Sequence, residues 1–454
     1  MDGDVERTDL WRTLVADYES GIGIEPRTTP PPDLAGERAT WLAATLPVLD
    51  LATGSVAALC GAARRAGATG ALATEGVDPA RVAAAFQSDR LFLLDGRPVD
   101  GFAPLSGFFR TSDGWVRTHA NYAHHRSRLL RVLDLPDGAT RDDVTGRLEG
   151  VTAAELEDAA ASAGAIAVRV RTEAEWSDSA PGRAARTGPV VRLAARADAR
   201  TRAQPLPGGP APLAGVRVLD LTRVIAGPVG TRALAQLGAD VLRIDPPVPA
   251  EIRPQHLDTG QGKRTSLLDL RDAGDRGHAQ QLLDAADVIV TGYRPGAVEA
   301  FGLRLPAGAV RARVNAWGDA GPWAGRRGFD SIVQAASGIA TIESPDGSRP
   351  GAMPAQALDH ATGYLLAAGV VDALAERAAD GRGRDVAVAL ARTAAWLLDA
   401  EGRDPAHPAP AVASSAATVR HGRHPVVTTA RPALPGQDDH VAPAHPWGTD
   451  PASW

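Results

Sequence analysis

This sequence carries a single cysteine and a single lysine among its 454 residues. With Cys60 alone, no intrachain disulfide can form, and a reducing, cytoplasmic location is the expectation. No uninterrupted apolar run is long enough to span a bilayer, so no membrane partner is expected. The opening stretch MDGDVERTDLWR is acidic and has no apolar segment, so no secretory signal is expected either. Lys263 being the only lysine, arginine supplies nearly all the positive charge. The formal net charge is −6 and the pI is about 6.0. That balance offers no broad cationic face for nucleic acid, though it leaves room for a local basic pocket.

What is present is enough for sizeable cores: 44% of the residues are hydrophobic and 22% are charged, an ordinary globular balance. Residues 1–205 are rich in Ala, Arg and Asp. Within them, Trp41 to Arg65 has apolar spacing that favours one face of a helix. Gly107 to His119 alternates around Asp113-Gly114, the pattern of a tight β-hairpin. Residues 152–164 read as a helix that Thr152 caps and Gly164 ends, followed by a strand at Ala165 to Val170. Gln204 to Pro212 reads as a linker. From there strands and helices alternate, as in a parallel sheet covered by helices. Strands are expected at 216–221, 240–244, 287–291 and 310–316, and helices at 231–237, 279–285, 330–341 and 359–378. The division expected is 1–205, a helical and small α+β domain; 206–402, a Rossmann-like domain; and 403–454, a Pro/His-rich arm, ordered on the surface or partly disordered. The arm's histidines, His407, His421, His424, His440 and His445, match no metal-ligand spacing, so no metal is expected.

The first turn of the alternating region, Ala226-Gly-Pro-Val-Gly-Thr231, lacks the G-x-G-x-x-G spacing of a dinucleotide site. Gly262-Lys-Arg-Thr265 only superficially resembles the end of a P-loop. Other segments form an ordered set. They are Pro212-Leu-Ala-Gly-Val-Arg-Val-Leu-Asp-Leu-Thr222, the stretch from Ala226 to Asp245, Gly262 to Leu270, Ala286 to Ala297, Gly318 to Trp323, Gly328 to Gln334, and Ala357-Leu-Asp-His-Ala-Thr-Gly-Tyr364. Together they resemble the family III CoA-transferases, the CaiB/BaiF group.

The resemblance implies an acyl-CoA:carboxylate CoA-transferase with no permanently bound cofactor. Its substrates would be an acyl-CoA and a small carboxylic acid, and its assembly a homodimer. Asp359 matches the family's nucleophilic aspartate; by spacing alone it reads rather as a helix N-cap, and the surrounding motif reverses that reading. Leu268, Asp269, Arg271, Tyr293, Arg294, Arg327 and Phe329 match CoA-contacting positions. Racemases of the same family need a histidine where this chain has Phe329, which disfavours two-base proton exchange. His360 is expected to point away, and His119, His124 and His125 read as surface or loop histidines, the alternative being that one of them lines the acyl pocket. Pro246, Ala300, Gly292 and Ile225 depart from residues frequent in the family, which implies a weaker grip on CoA or a non-catalytic CoA-binding paralogue. The piece similar to the small domain precedes the nucleotide-fold half, which implies a permuted order.

Overall fold

The computed structural model describes residues 9–25, 32–36, 40–199, 205–293, 296, 298–406, 409–411, 418–422 and 425–454. Its centre is a seven-stranded sheet in the spatial order Arg192–Ala199, Arg382–Ala389, Val310–Asn315, Val288–Thr291, Arg217–Leu221, Asp240–Asp245, Arg264–Leu267. All neighbours pair in parallel except Arg192–Ala199, which runs antiparallel along one edge. Val288, Ile289 and Val290 form an unbroken apolar run in their strand, because both faces of the parallel sheet are covered there. The chain leaves Arg217–Leu221 in one direction to build Asp240–Asp245 and Arg264–Leu267. It returns on the other side for Val288–Thr291. The reversal opens a crevice at the carboxyl ends of Arg217–Leu221 and Val288–Thr291, the position where open α/β sheets bind ligands.

Helix Ala357–Asp380 is the central pillar, buried over most of its circumference. It meets helix Ala226–Gln236 at a glycine contact. A Cβ on Gly363 would lie 2.5 Å from the Ala226 carbonyl, and one on Gly230 would lie 2.8 Å from the Gly363 carbonyl. Only glycine at both positions lets these backbones touch, and the touch draws the start of the long helix toward the crevice. Helix Ala226–Gln236 begins five residues before its expected start. Its small residues hide the 3.6-residue period, and Pro228 sits in the first turn, where a missing N–H breaks no helical bond. The helix expected over 330–341 is interrupted at Gly338 (φ 95°), where a Cβ would meet the Glu173 backbone at 2.5 Å.

Contacts cross the boundary expected near 205. Arg192–Ala199 belongs to the central sheet, and helix Val48–Arg65 packs along Ala357–Asp380. The Arg65 guanidinium forks onto Asp372 at 2.6 and 2.7 Å, and Tyr18 donates to the same carboxylate at 2.5 Å, so the buried charges are paired and hydrogen-bonded. The hairpin Gly107–Arg110/Trp115–Thr118 turns where expected, and Ala167–Arg169 adds a third strand. Thr152 caps Ala153–Ala163 in a reciprocal box with Glu155, and Gly164 closes it in the left-handed region. This small sheet lies before the central sheet in the chain.

The last segment runs along the Arg264–Leu267 edge. Thr265 N donates to Asp450 at 2.7 Å, and Trp447 Nε1 to Asp245 at 3.1 Å. Edge amides that would otherwise be open are thereby satisfied. Thr418–His421 and Val427–Ala430 form a separate sheet with Leu93–Leu94 and Arg97–Pro98. His407, His424 and Arg294 lie outside the described residues. Among the described residues no helix is long and apolar enough to cross a membrane, and no cluster of three metal-ligating side chains occurs.

Candidate active site

Two cavities meet at Asp359. The larger, about 420 Å³, occupies the crevice of the central sheet and is lined by Leu221 to Gly227, Gly292, Tyr293 and Val314 to Ala316. The smaller, about 50 Å³, is closed in by the segment Ser88 to Phe102, by Gln255 and Asp258, and by His119 from the small sheet. Only Val224, Ile225, Phe329 and Asp359 line both among the described residues, and Asp359 is the one ionisable group of the four.

Asp359 stands in the first turn of Ala357–Asp380, yet it does not cap that helix. Asp330, wholly buried at the start of Asp330–Ser337, accepts a 2.9 Å hydrogen bond from the Asp359 amide. Gln334 donates to the other Asp330 oxygen. The helix end is therefore satisfied from outside, and none of the described groups donates to the Asp359 carboxyl. The N-cap reading of Asp359 is thus replaced: Asp359 lies inside the first turn, and its own amide is engaged by Asp330. Burial raises both carboxyls. Asp330 is pushed up to about 6, and Asp359 well above the ordinary aspartate range by burial and then by the Asp330 charge.

Val224 carries the chain past the first strand at φ 71°, a left-handed conformation rare for a β-branched residue. Glu251 holds it there by accepting from Val224 N at 3.2 Å. The same carboxylate lies 3.4 Å from Arg223 Nε and 2.7 Å from Arg243 Nη2. These two guanidinium groups hold Glu251 down at about 2 despite its burial. Arg223 lies over the Tyr122 ring at 5.1 Å, and its Nη2 is buried with no hydrogen-bond partner. Arg326 and Arg327 line the same cavity from the opposite side. Three cations around one crevice can hold phosphate groups.

Four of the expected positions come together here: Asp359, Tyr293, Arg327 and Phe329. Leu268, Asp269 and Arg271 line neither cavity. Leu268 is buried in an apolar cluster with Leu242 and Ile244, and Arg271 forks onto Asp269 on the open surface. Of the departures from family residues, Pro246, Gly292 and Ile225 do line the cavities.

The histidine reading is corrected. His119 and His125 are buried, and the His119 ring stacks on Phe329 at 3.8 Å between centroids. The strand Trp115–Thr118 runs straight on into the cavity wall and carries His119 with it; the hairpin pattern was visible, but its docking on Phe329 is a tertiary event. His360 does not point away. It lines the smaller cavity beside Asp359, stacked on Phe86 at 5.1 Å. Burial lowers His119, His125 and His360 to about 3, so all three imidazoles are neutral. Arg223 and Asp330 were also missed. Each sits at the edge of a quoted motif, beside a strand end and at a helix start, which is the signal that could have found them.

A parallel sheet with a cationic crevice at its reversal point, ending on a buried carboxyl, defines an α/β protein built to bring an anionic ligand to an acid group. An acetyl-coenzyme A transferase of Hypoxylon pulicicidum is 36% identical over 208 residues, 42% of this chain and 34% of that protein. The acetyl-CoA:oxalate CoA-transferase of Acetobacter aceti is 30% identical over 197 residues, 39% of this chain and 51% of that one. The crystal structure of a CaiB/BaiF family protein from Brucella suis aligns with a TM-score of 0.39 and 24% identity, over 42% of this chain and 56% of that one. The chain spans about half, or less, of the length of the curated relatives it matches. The family profile covers residues 213–442, and the chain belongs to CoA-transferase family III.

Proposed function

We propose that this chain moves CoA from an acyl-CoA to a carboxylic acid, with Asp359 as the covalent nucleophile. The observation that carries the reading is the position of Asp359, among the described residues the one ionisable side chain shared by a cationic cavity and a small closed one. The nucleotide and pantetheine arm would lie in the first, toward Arg223, Arg326 and Arg327. The acyl group would enter the second.

In this scheme an Asp359 oxygen attacks the thioester carbon, the C–S bond breaks, and CoA leaves as the thiolate. The thiolate attacks the Asp359 carbonyl of the resulting anhydride, and the first acid leaves as its carboxylate. The second acid then attacks the aspartyl-CoA thioester, and the thiolate returns to the new acyl carbon, which frees Asp359. No electron pair is gained or lost overall, and no net proton moves. Because the two thioesters are similar in energy, the protein's task is positioning and stabilising developing oxyanions. The unpartnered Nη2 of Arg223 supplies a donor on the larger cavity, and the start of helix Ala226–Gln236 faces the same space.

Proton exchange at the α-carbon is the second reading, since His119 and His360 share the small cavity with Asp359. Imidazoles held at about 3 are weak bases at neutral pH, which weighs against it. The test is trapping with hydroxylamine during incubation with a panel of acyl-CoAs. A hydroxamate on Asp359 that requires acyl-CoA supports transfer; α-hydrogen exchange in heavy water with no hydroxamate supports the second reading. The homodimer implied by the resemblance belongs to the same proposal, and sedimentation decides it.

A further inference from the structure

The small cavity has a chemistry of its own. Its volume of about 50 Å³ holds roughly three to five non-hydrogen atoms, by comparison with the space one water needs. Its wall carries several buried polar atoms that the protein leaves unpartnered. Gln255 Oε1 and Asp258 Oδ1 are buried without hydrogen-bond partners, although Arg232 stands 3.6 Å behind the latter. Ser331 Oγ, His119 Nδ1 and His360 Nδ1 are also unpartnered, on residues that are 6%, 4% and 2% exposed. Ser88, which could have served Asp258 Oδ1, donates to Oδ2 instead at 2.6 Å. Buried polar atoms of this kind are ordinarily satisfied, so several lining one chamber point to a polar ligand, and Gln255 Oε1 and Asp258 Oδ1 call for one that supplies a donor.

The charges narrow the class further. Asp89 and Asp258 both line the chamber, and burial raises each, Asp89 being raised further by Asp258. An ionised carboxylate at the far end of a substrate would bring acceptors to acceptors and a third negative charge to a dry site. A hydroxyl brings a donor and no charge.

Resting on the transferase reading, we propose that the chamber takes the part of the acid beyond its carboxylate, that this acid is a short hydroxy acid whose hydroxyl donates to Gln255 and Asp258, and that dicarboxylates are excluded. A site built to hydrogen-bond a hydroxyl discriminates strongly against an analogue without one, because its own polar groups are then left unpaired.

The test compares acceptors of equal chain length on the unaltered full chain: 3-hydroxybutyrate, butyrate and succinate, with acetyl-CoA as donor. The result expected is a kcat/KM for 3-hydroxybutyrate about 10-fold or more above butyrate and roughly 100-fold above succinate. The Gln255→Met variant, which removes an acceptor without changing charge, should lower the ratio of 3-hydroxybutyrate to butyrate. Equal use of butyrate, or succinate as the best acceptor, overturns the proposal. If all three acids fail while hydroxylamine still traps an adduct on Asp359, the chamber's chemistry is wrong and the transferase reading stands. If neither transfer nor adduct is seen with any donor, both fall together.

Discussion

The main-chain amide of Asp359 donates to the buried carboxyl of Asp330 across 2.9 Å, so one acid ends the helix on which the other acts. Two acids this close in a dry site resist ionising together. For Asp330 the folded value of about 6 lies above the ordinary one of 3.8. A raised group of this kind contributes stability below about pH 4 that is lost as pH climbs through about 6. Asp330→Asn removes the titration and keeps an oxygen for the Asp359 amide. Relative to the parent, the variant should gain on the order of 3 kcal/mol between about pH 4 and pH 8. Urea unfolding at both pH values measures it, and parallel stability curves for the two proteins would exclude the coupling.

The same pair sets a pH dependence for transfer. Asp359 attacks only as the carboxylate, and burial followed by the Asp330 charge raises it. The acid limb of kcat/KM should therefore lie above the ordinary aspartate range, with activity lost as pH falls through it. In Asp330→Asn the like charge is gone and the limb should move to lower pH. A pH–rate profile of both proteins checks this; a limb near pH 4 that the substitution leaves in place contradicts it.

The elements visible in the sequence were those whose local signals agree with their burial. The Asp113-Gly114 hairpin, the helix that Thr152 caps and Gly164 ends, and the Val-rich strands all folded close to their expected limits. Helix Ala226–Gln236 was read short because Ala, Gly and Pro leave little periodicity. The site was half legible. Asp359, Tyr293, Arg327 and Phe329 converge, but Leu268 is taken by the core and Arg271 by its neighbour Asp269. His119 arrives from a segment about 240 residues away in the chain, a closure that loop entropy resists and only a packed fold offsets. Such long-range placement has no local signature.

Arg223 should carry more of the CoA affinity than Arg271. Arg223 is largely buried, lines the cavity and has an unpartnered Nη2, whereas Arg271 forms an exposed pair. Arg223→Ala should raise KM for acyl-CoA about 10-fold or more, as expected for a lost charge-assisted bond. Arg271→Ala should leave it within about twofold. Steady-state kinetics with varied acyl-CoA decides between them, and the reverse order of effects would relocate the CoA site.

Lys263 is the chain's only lysine and is buried. Its Nζ donates to Asp220 at 3.1 Å, to Thr231 Oγ1 at 2.6 Å and to the Pro228 carbonyl at 2.7 Å. It ties the first parallel strand to helix Ala226–Gln236. Lys263→Met leaves the Asp220 charge buried and should destabilise the fold by about 3 kcal/mol or more. Thermal unfolding checks this. Burial lowers Lys263 to about 8, which by itself would favour reaction, but because the group is enclosed amine reagents should not label it in the folded chain.

The covalent role of Asp359 predicts where an oxygen atom goes. When the second acid attacks aspartyl-CoA and CoA returns to its carbonyl, one oxygen of that acid stays on Asp359. The measurement is mass spectrometry of the peptide containing Asp359 after turnover with an acceptor whose carboxylate carries heavy oxygen. One heavy oxygen on Asp359, appearing only when acyl-CoA and acceptor are both present, is the predicted result. Active transfer with the heavy oxygen absent from Asp359 would contradict the covalent mechanism.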